Sequence, residues 1–377
     1  MMTRAERTFF AQWWWTIDRW LLASLGVLMV LGLVLMMAAS PPEAERLGLP
    51  AFFFVNRQVA FLIPAAILMT ATSLLSPRHV RRAALFVFLT GIALIVLALV
   101  FGHEIKGARR WIFGIEPSEF VKPAFVVLCA WAFSEGGQRR DVPANGIAIL
   151  LLVMTIGPLM LQPDFGQTML LSIVWTALFF AAGLHWMWVG GIGGLGIGGV
   201  LVAYQFVPHV RARIEKFIDP GVNGTTQGDT FQVDTAMESF ISGGWFGKGP
   251  GEGTLKRVLP DSHTDFIFAV TGEEFGIFVC LGIVAVFCFI VLRGLSSATR
   301  NEDSFCRFAT AGLVMLFGIQ SMINMAVNVH LMPAKGMTLP FISYGGSSLA
   351  SLALTAGFLI AVTRKRPKSQ IMSRVDI

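Results

Sequence analysis

The chain has 377 residues, of which 55% are apolar and 14% charged; a soluble domain carries about 25% charged residues. That excludes a water-soluble enzyme and a disordered chain, and it reads as one polytopic membrane domain over 1–377. The net charge of +6 has no meaning until it is divided between the two sides of a membrane, and nothing in it calls for nucleic acid.

The first residues combine Arg4, Arg7 and Arg19 with Trp13, Trp14 and Trp15, and no small-residue cleavage site precedes the first apolar run. The first span is therefore expected to stay as an anchor. A helix needs about 20 apolar residues to cross the hydrocarbon core. Ten stretches qualify, roughly 20–39, 56–75, 82–101, 117–134, 144–161, 167–183, 187–207, 265–292, 305–329 and 343–363. The expected fold class is all-α, with about ten transmembrane helices and one large extracytoplasmic loop, 208–264, between spans seven and eight.

Between spans three and four stands Lys106-Gly107-Ala108-Arg109-Arg110-Trp111, which suits a membrane-interface anchor, an anion grip, or both. Span four opens with Glu119 and Lys122, three residues apart on one helix face, where they can pair inside the bundle. Gln162-Pro163-Asp164-Phe165-Gly166 places a carboxylate at the end of span five. Spans six and seven are joined by only a few residues around 183–186, as in an antiparallel hairpin. Span seven holds the glycine run 190–199, which allows close helix approach in lipid. A phosphate loop is disfavoured there because no Lys-Ser/Thr follows.

The long loop opens with a pattern over 210–218 that suits a helix on the membrane surface. The tract 242–253 then has six glycines around Lys248, so it reads as a mobile lid or a tightly turning connector. Leu259-Pro260-Asp261-Ser262-His263-Thr264-Asp265 leads directly into span eight. Ionisable groups at the lip of a span are costly and point to function. Asp265, partly withdrawn from water, suits a general base; helix capping by Thr264 or Asp265 is the plainer alternative. Glu273 and Glu274 follow, with structural pairing to an arginine as their plain reading. Asn324 and Asn328, four apart, form a polar stripe toward other helices. The proline- and glycine-rich stretch 332–348, with Lys335 and Ser343, reads as a rigid re-entrant or turning segment. The cysteines Cys129, Cys280, Cys288 and Cys306 form no CxxC pair and are expected to be small buried residues without a disulfide or zinc.

With both ends of the chain cytoplasmic, sixteen of the 29 Lys and Arg residues fall on cytoplasmic segments, mostly short and arginine-dense, which supports that orientation. The other 13, including Arg109, Arg110, Lys122, Lys248 and Lys335, resist this bias. They are solvated loop charges or the grip for an anionic substrate such as a diphosphate. Asp164, Asp265, Arg109, Arg110, Lys335 and the glycine loop all map to one outer surface, which favours surface chemistry over transport.

Six stretches in this order resemble the SEDS family (shape, elongation, division and sporulation proteins): KGARRW (106–111), PSEFVK (117–122), QPDFG (162–166), GGWFGKGPGEG (243–253), LPDSHTDFIFAVTGEEFG (259–276) and MPAKGMTLPFISYGGSS (332–348). The first and last look like the division branch rather than the elongation branch. The resemblance implies a ten-span peptidoglycan glycosyltransferase that polymerises lipid II on the outer face of the bacterial cytoplasmic membrane, at the division septum. Implied partners are a class b penicillin-binding protein and other division proteins. Asp265 would be the essential aspartate, Arg110 and Trp111 the essential pair, and Glu119 with Lys122 the acid–lysine pair. Arg109, Asp164, Lys248, His263, Lys335 and Ser343 join them as candidate substrate contacts. A divalent cation, magnesium or manganese, is a candidate helper, with no ligand set read for it. A lipid II flippase and a non-catalytic scaffold that activates the transpeptidase are the competing expectations.

Overall fold

The structure, a computed structural model, describes residues 9–105, 108–139, 141–183, 186–206, 211, 215, 229–333 and 336–365. Helices stand at all ten predicted span positions: α2 (Arg19–Ala39), α4 (Phe53–Ser73), α5 (Pro77–Phe101), α6 (Pro117–Gln138), α7 (Ala144–Leu161), α8 (Phe165–Ala181), α9 (Trp186–Phe206), α11 (Ile267–Thr299), α12 (Ser304–Asn328) and α13 (Gly346–Thr363). Shorter helices α1 (Phe9–Thr16), α3 (Pro41–Arg46) and α10 (Asp229–Gly243) lie between or before them. Seven of the ten, namely α2, α4, α5, α7, α11, α12 and α13, are long and apolar enough to cross a membrane. Of the others, α6 carries Glu119, Lys122 and Glu135, and α8 is only 17 residues long. Among the described residues the helices are accompanied by a two-stranded antiparallel ribbon, β1 (His103–Ile105) and β2 (Ala108–Trp111), which pairs His103 with Trp111.

The helix starts are written locally. Asp18 accepts from the Trp20 and Leu21 amides at 3.1 and 3.2 Å, Ser76 caps α5 ahead of Pro77, and Asp303 accepts from the Cys306 amide at 2.8 Å. An apolar helix has no polar face to turn outward, so it is either enclosed or faces lipid. α13 is enclosed: apart from Ala350, every residue from Ser347 to Thr363 is buried. It packs on α4, α6 and α12, and α6 in turn packs on α5, α7, α8 and α12. The outer helices show the lipid alternative, with Val30, Phe86, Leu89 and Val153 exposed. Cys129, Cys280 and Cys306 are buried as expected, whereas Cys288 is exposed on α11, so its small size serves no core packing.

Both ends of the described chain meet on one side. The Lys365 amide donates to the Thr16 carbonyl at 3.0 Å, and Arg364 Nε donates to Thr16 Oγ1 at 3.0 Å.

Two expectations change. Span eight is not a continuous helix: Gly276 (φ 78°, ψ 177°) breaks α11 into a short first piece and a long second one. The freed amides find partners on the turn after α10, Ile277 N–H on the Gly244 carbonyl (3.0 Å) and Phe278 N–H on the Trp245 carbonyl (3.4 Å). That substitution makes the break tolerable. Nor is the glycine tract a free lid. The amides of Lys248 and Gly249 donate to the carbonyls of Glu273 and Glu274 (2.9 and 3.0 Å), so the tract runs against the first piece of α11. The predicted surface helix 210–218 lies largely outside the described residues; Arg211 and Glu215, which are described, form an ion pair at 2.7 Å.

Candidate active site

Asp265 stands just before α11, whose N-cap position, Phe266, makes no side-chain cap hydrogen bond. Capping is therefore supplied from another helix: Asn328 Oδ1 accepts from the Ala269 amide at 3.0 Å. The loop ahead of it is tight. Asp261 takes φ 54°, and its carbonyl accepts from the amides of Thr264, Asp265 and Phe266 at 3.1, 3.1 and 3.4 Å. The Asp265 carbonyl accepts from Asn324 Nδ2 and Asn328 Nδ2, both at 2.9 Å. The main chain of this residue is held from three directions while its side chain keeps partial exposure. Gly336 faces it: a Cβ there would lie 3.7 Å from Asp265 Oδ2.

His263 packs its ring on Phe54 (4.5 Å between centroids) and Tyr344 (5.4 Å), and its carbonyl accepts from the Tyr344 amide at 3.0 Å. Burial, above all, pushes its imidazole below the usual range. Its Nδ1 is buried with no hydrogen-bond partner among the described residues. Ser343 Oγ accepts from the Leu339 amide at 2.8 Å, closing the turn that carries this strip of chain past the site.

Glu119 and Lys122 pair at 2.8 Å, both side chains at least nine-tenths buried. Glu119 Oε1 also accepts from Gln167 Nε2 at 2.8 Å, and Lys122 Nζ donates to Gln320 Oε1 at 3.1 Å. Arg110 spreads over the α7–α8 joint: Nε donates to the Gln162 carbonyl (3.3 Å), Nη2 to the Pro163 carbonyl (2.9 Å), and Nη1 pairs with Asp164 at 3.5 Å. In return, Gln162 Nε2 donates to the Arg109 carbonyl at 2.9 Å. So Arg110 and Asp164 come together, tying β2 to the start of α8, where Asp164 accepts from the Gln167 amide. Burial raises the Asp164 carboxyl, with the Arg110 charge opposing. Glu116 beside it is pushed up to about 8, by burial first and then by the carboxylates of Glu119 and Asp164. Arg109 is exposed, 3.9 Å from Glu104. Trp111 is half-buried at the end of β2. Lys248 reaches Glu273 at 3.4 Å, and Lys335 lies outside the described residues.

Glu273 and Glu274 pair with lysines rather than an arginine. Glu273 Oε1 accepts from the Thr254 and Leu255 amides (2.7 and 2.9 Å), and Glu274 pairs with Lys256, a buried lysine that also donates to the Ala38 carbonyl at 3.0 Å. Lys256, Gln167 and Gln320 were not singled out by the sequence reading. Gln320 carried a signal, because it extends the Asn324–Asn328 stripe by one more step of four. Among the described residues no three His, Cys, Asp or Glu side chains converge to hold a metal ion.

The sequence matches the cell cycle protein family FtsW/RodA/SpoVE over residues 18–368. The chain belongs to that family. Its relatives include the "Probable peptidoglycan glycosyltransferase FtsW" of Caulobacter vibrioides, 45% identical, the alignment covering 97% of this chain and 93% of the relative. The protein of the same name from Trichlorobacter lovleyi is 33% identical over 88% of this chain and 89% of its own. Among solved structures, a chain of a peptidoglycan synthase complex that coordinates polymerization and crosslinking aligns with a TM-score of 0.77 at 25% identity, covering 92% of this chain and 97% of that one. Thermus thermophilus RodA, a rod shape determining protein, aligns with a TM-score of 0.67 at 26% identity over 92% and 96%. This member of the FtsW/RodA/SpoVE family is thus a multi-pass membrane protein with that family's fold.

Proposed function

We propose that the chain is a peptidoglycan glycosyltransferase that polymerises lipid II into β-1,4 glycan strands, with Asp265 as general base. The observation that carries this reading is Asp265 itself: a partly exposed carboxylate at the end of a broken helix, its main chain fixed by two asparagines from α12. The naming of the relatives as peptidoglycan glycosyltransferases supports the reaction class.

The chemistry is an inverting transfer. The 4-hydroxyl of the acceptor GlcNAc gives its proton to the Asp265 carboxylate and its oxygen attacks the donor's anomeric carbon. The bond to undecaprenyl diphosphate breaks on the opposite face, and the diphosphate leaves with the electron pair. A base held at a fixed point contributes to the first event, and cations near the departing diphosphate to the last. Arg109, half-exposed at 50%, is the arginine of the ribbon best placed to reach a ligand, because Arg110 already spends its fork on Gln162, Pro163 and Asp164. Lys248 and Lys335 are further candidates. Since no protein cage for magnesium or manganese is found among the described residues, no step is assigned to a metal.

The same reading places the site on the outer face of the bacterial cytoplasmic membrane, with both ends of the chain inside and work at the division septum. The arginine-dense loops support this orientation. A class b penicillin-binding protein, with other division proteins, is the expected partner; the similarity to a chain of a complex that couples polymerization to crosslinking supports it. The test is glycan-strand synthesis from lipid II by the purified protein with its transpeptidase. Asp265→Asn should abolish elongation while partner binding persists, and full-speed elongation by that variant would remove Asp265 from the mechanism.

A further inference from the structure

Three amides recur at four-residue intervals on α12: Gln320, Asn324 and Asn328. They share one helix face, and each is at most 2% exposed. Burying an amide is unfavourable unless its hydrogen bonds are made, so where these bonds go shows what the residues are for. Gln320 Oε1 accepts from Lys122, and its Nε2 donates to the Thr338 carbonyl at 3.1 Å. Asn324 Nδ2 donates to the Met337 carbonyl at 2.6 Å and the Asp265 carbonyl at 2.9 Å. Asn328 Nδ2 donates to the Asp265 carbonyl as well, while Oδ1 holds the Ala269 amide. Each amide's orientation follows from its partners, because carbonyls take only donors and an N–H takes only an acceptor.

One helix face therefore joins four separate parts of the chain: the buried Glu119–Lys122 pair of α6, the irregular segment at 337–338, the main chain of Asp265, and the first turn of α11. Apart from the Lys122 side chain and the Ala269 amide of α11, the bonds go to irregular backbone, which has no ladder of its own to set its position. We propose that this amide ladder is the positioning device of the transfer: it sets Asp265 in register with the 337–345 turn, and the Glu119–Lys122 pair acts on the reaction through Gln320 rather than by touching substrate. This rests on Asp265 being the base. A displacement of about 1 Å at a reacting group costs on the order of 10²-fold in rate, which a lost anchor on the Asp265 carbonyl would produce.

The test uses the purified protein in complex with its transpeptidase, assayed for kcat and KM on lipid II and for thermal unfolding. Asn324→Ala removes the donor to Asp265 and Met337. Asn328→Asp keeps the acceptor for Ala269 but loses the donor. Gln320→Glu keeps the acceptor for Lys122 but loses the bond to Thr338. Each should lower kcat by about 10²-fold with KM within about twofold, measured at a temperature where its own melting curve shows it folded. Ser321→Ala, on the same helix but bonded among the described residues to the Phe317 carbonyl of its own turn alone, should leave both constants unchanged. Wild-type kcat in the Asn324 and Asn328 variants would overturn the ladder while an inactive Asp265→Asn left the base standing; an active Asp265→Asn would remove the base instead. A rise in KM with kcat intact would make the amides substrate contacts and overturn the inference, as would failure of both Asn328→Asp and Gln320→Glu to fold.

Discussion

Replacing Lys256 by methionine removes the cation beside Glu274, whose side chain is fully enclosed; that of Lys256 is 4% exposed. Breaking a buried pair by deleting one partner costs about 3–5 kcal/mol, because the remaining charge stays in a poorly solvating interior. Loss of the bond from Lys256 Nζ to the Ala38 carbonyl adds about 1 kcal/mol. Glu274 would then keep the Gly251 amide, at 2.9 Å, as a neutral donor. Against a total stability on the order of 5–15 kcal/mol, this is a large fraction. At roughly 2 °C per kcal/mol for a long chain, the melting temperature should fall by about 8–12 °C, read by tryptophan fluorescence in detergent. The double variant Lys256→Met with Glu274→Gln removes both charges and retains the acceptor for Gly251, so it should recover most of the loss. If single and double variants melted together, the pair would carry no coupling and the clamp on α11 would rest on the backbone bonds and the contacts of the Glu273 carboxylate.

Glu116 gives a pH prediction. Its folded carboxyl sits at about 8, above an ordinary 4.5, so between those values the folded chain holds a proton that the unfolded chain has released. Stability contributed by this group is complete below about 4.5 and is lost as pH rises to about 8; Glu116→Gln should flatten that part of the melting profile, and an unchanged slope would assign it elsewhere. Gly276→Ala forces a side chain into φ 78° and places its Cβ 2.4 Å from the Trp245 carbonyl; a loss of a few kcal/mol, with poor expression, is expected, and a normal melting curve would show that the break can straighten. Arg110→Lys keeps charge near Asp164 but loses the fork across the Gln162 and Pro163 carbonyls, so melting should drop by the equivalent of about 1–3 kcal/mol; no drop would mean the ribbon is held by other contacts.

The ten helix positions were legible because each depends on a local run of apolar residues, and the caps at Asp18, Ser76 and Asp303 are equally local. The stripe Asn324–Asn328 was legible as spacing, but its targets were not, since the Asp265 carbonyl lies 59 residues away from Asn324 in sequence. The same holds for Lys256, whose partners Ala38 and Glu274 come from two other helices. Arg110 read as an anion grip because a guanidinium suits phosphate; the carbonyls that occupy its fork belong to a distant turn. The break at Gly276 was hidden because the amides it releases are satisfied by the Gly244 and Trp245 carbonyls, more than thirty residues away in sequence, on a turn whose docking against α11 no local pattern announces.

The enclosure of α13 bears on how the molecule is made. It follows α4, α6 and α12 in the chain, yet it is seated among them with almost no surface left over. Those three must leave a slot that α13 fills afterwards, and the entering helix brings along the 337–345 turn that Asn324 and Gln320 grip. Seating of α13 and ordering of that turn are therefore a single late step in assembly.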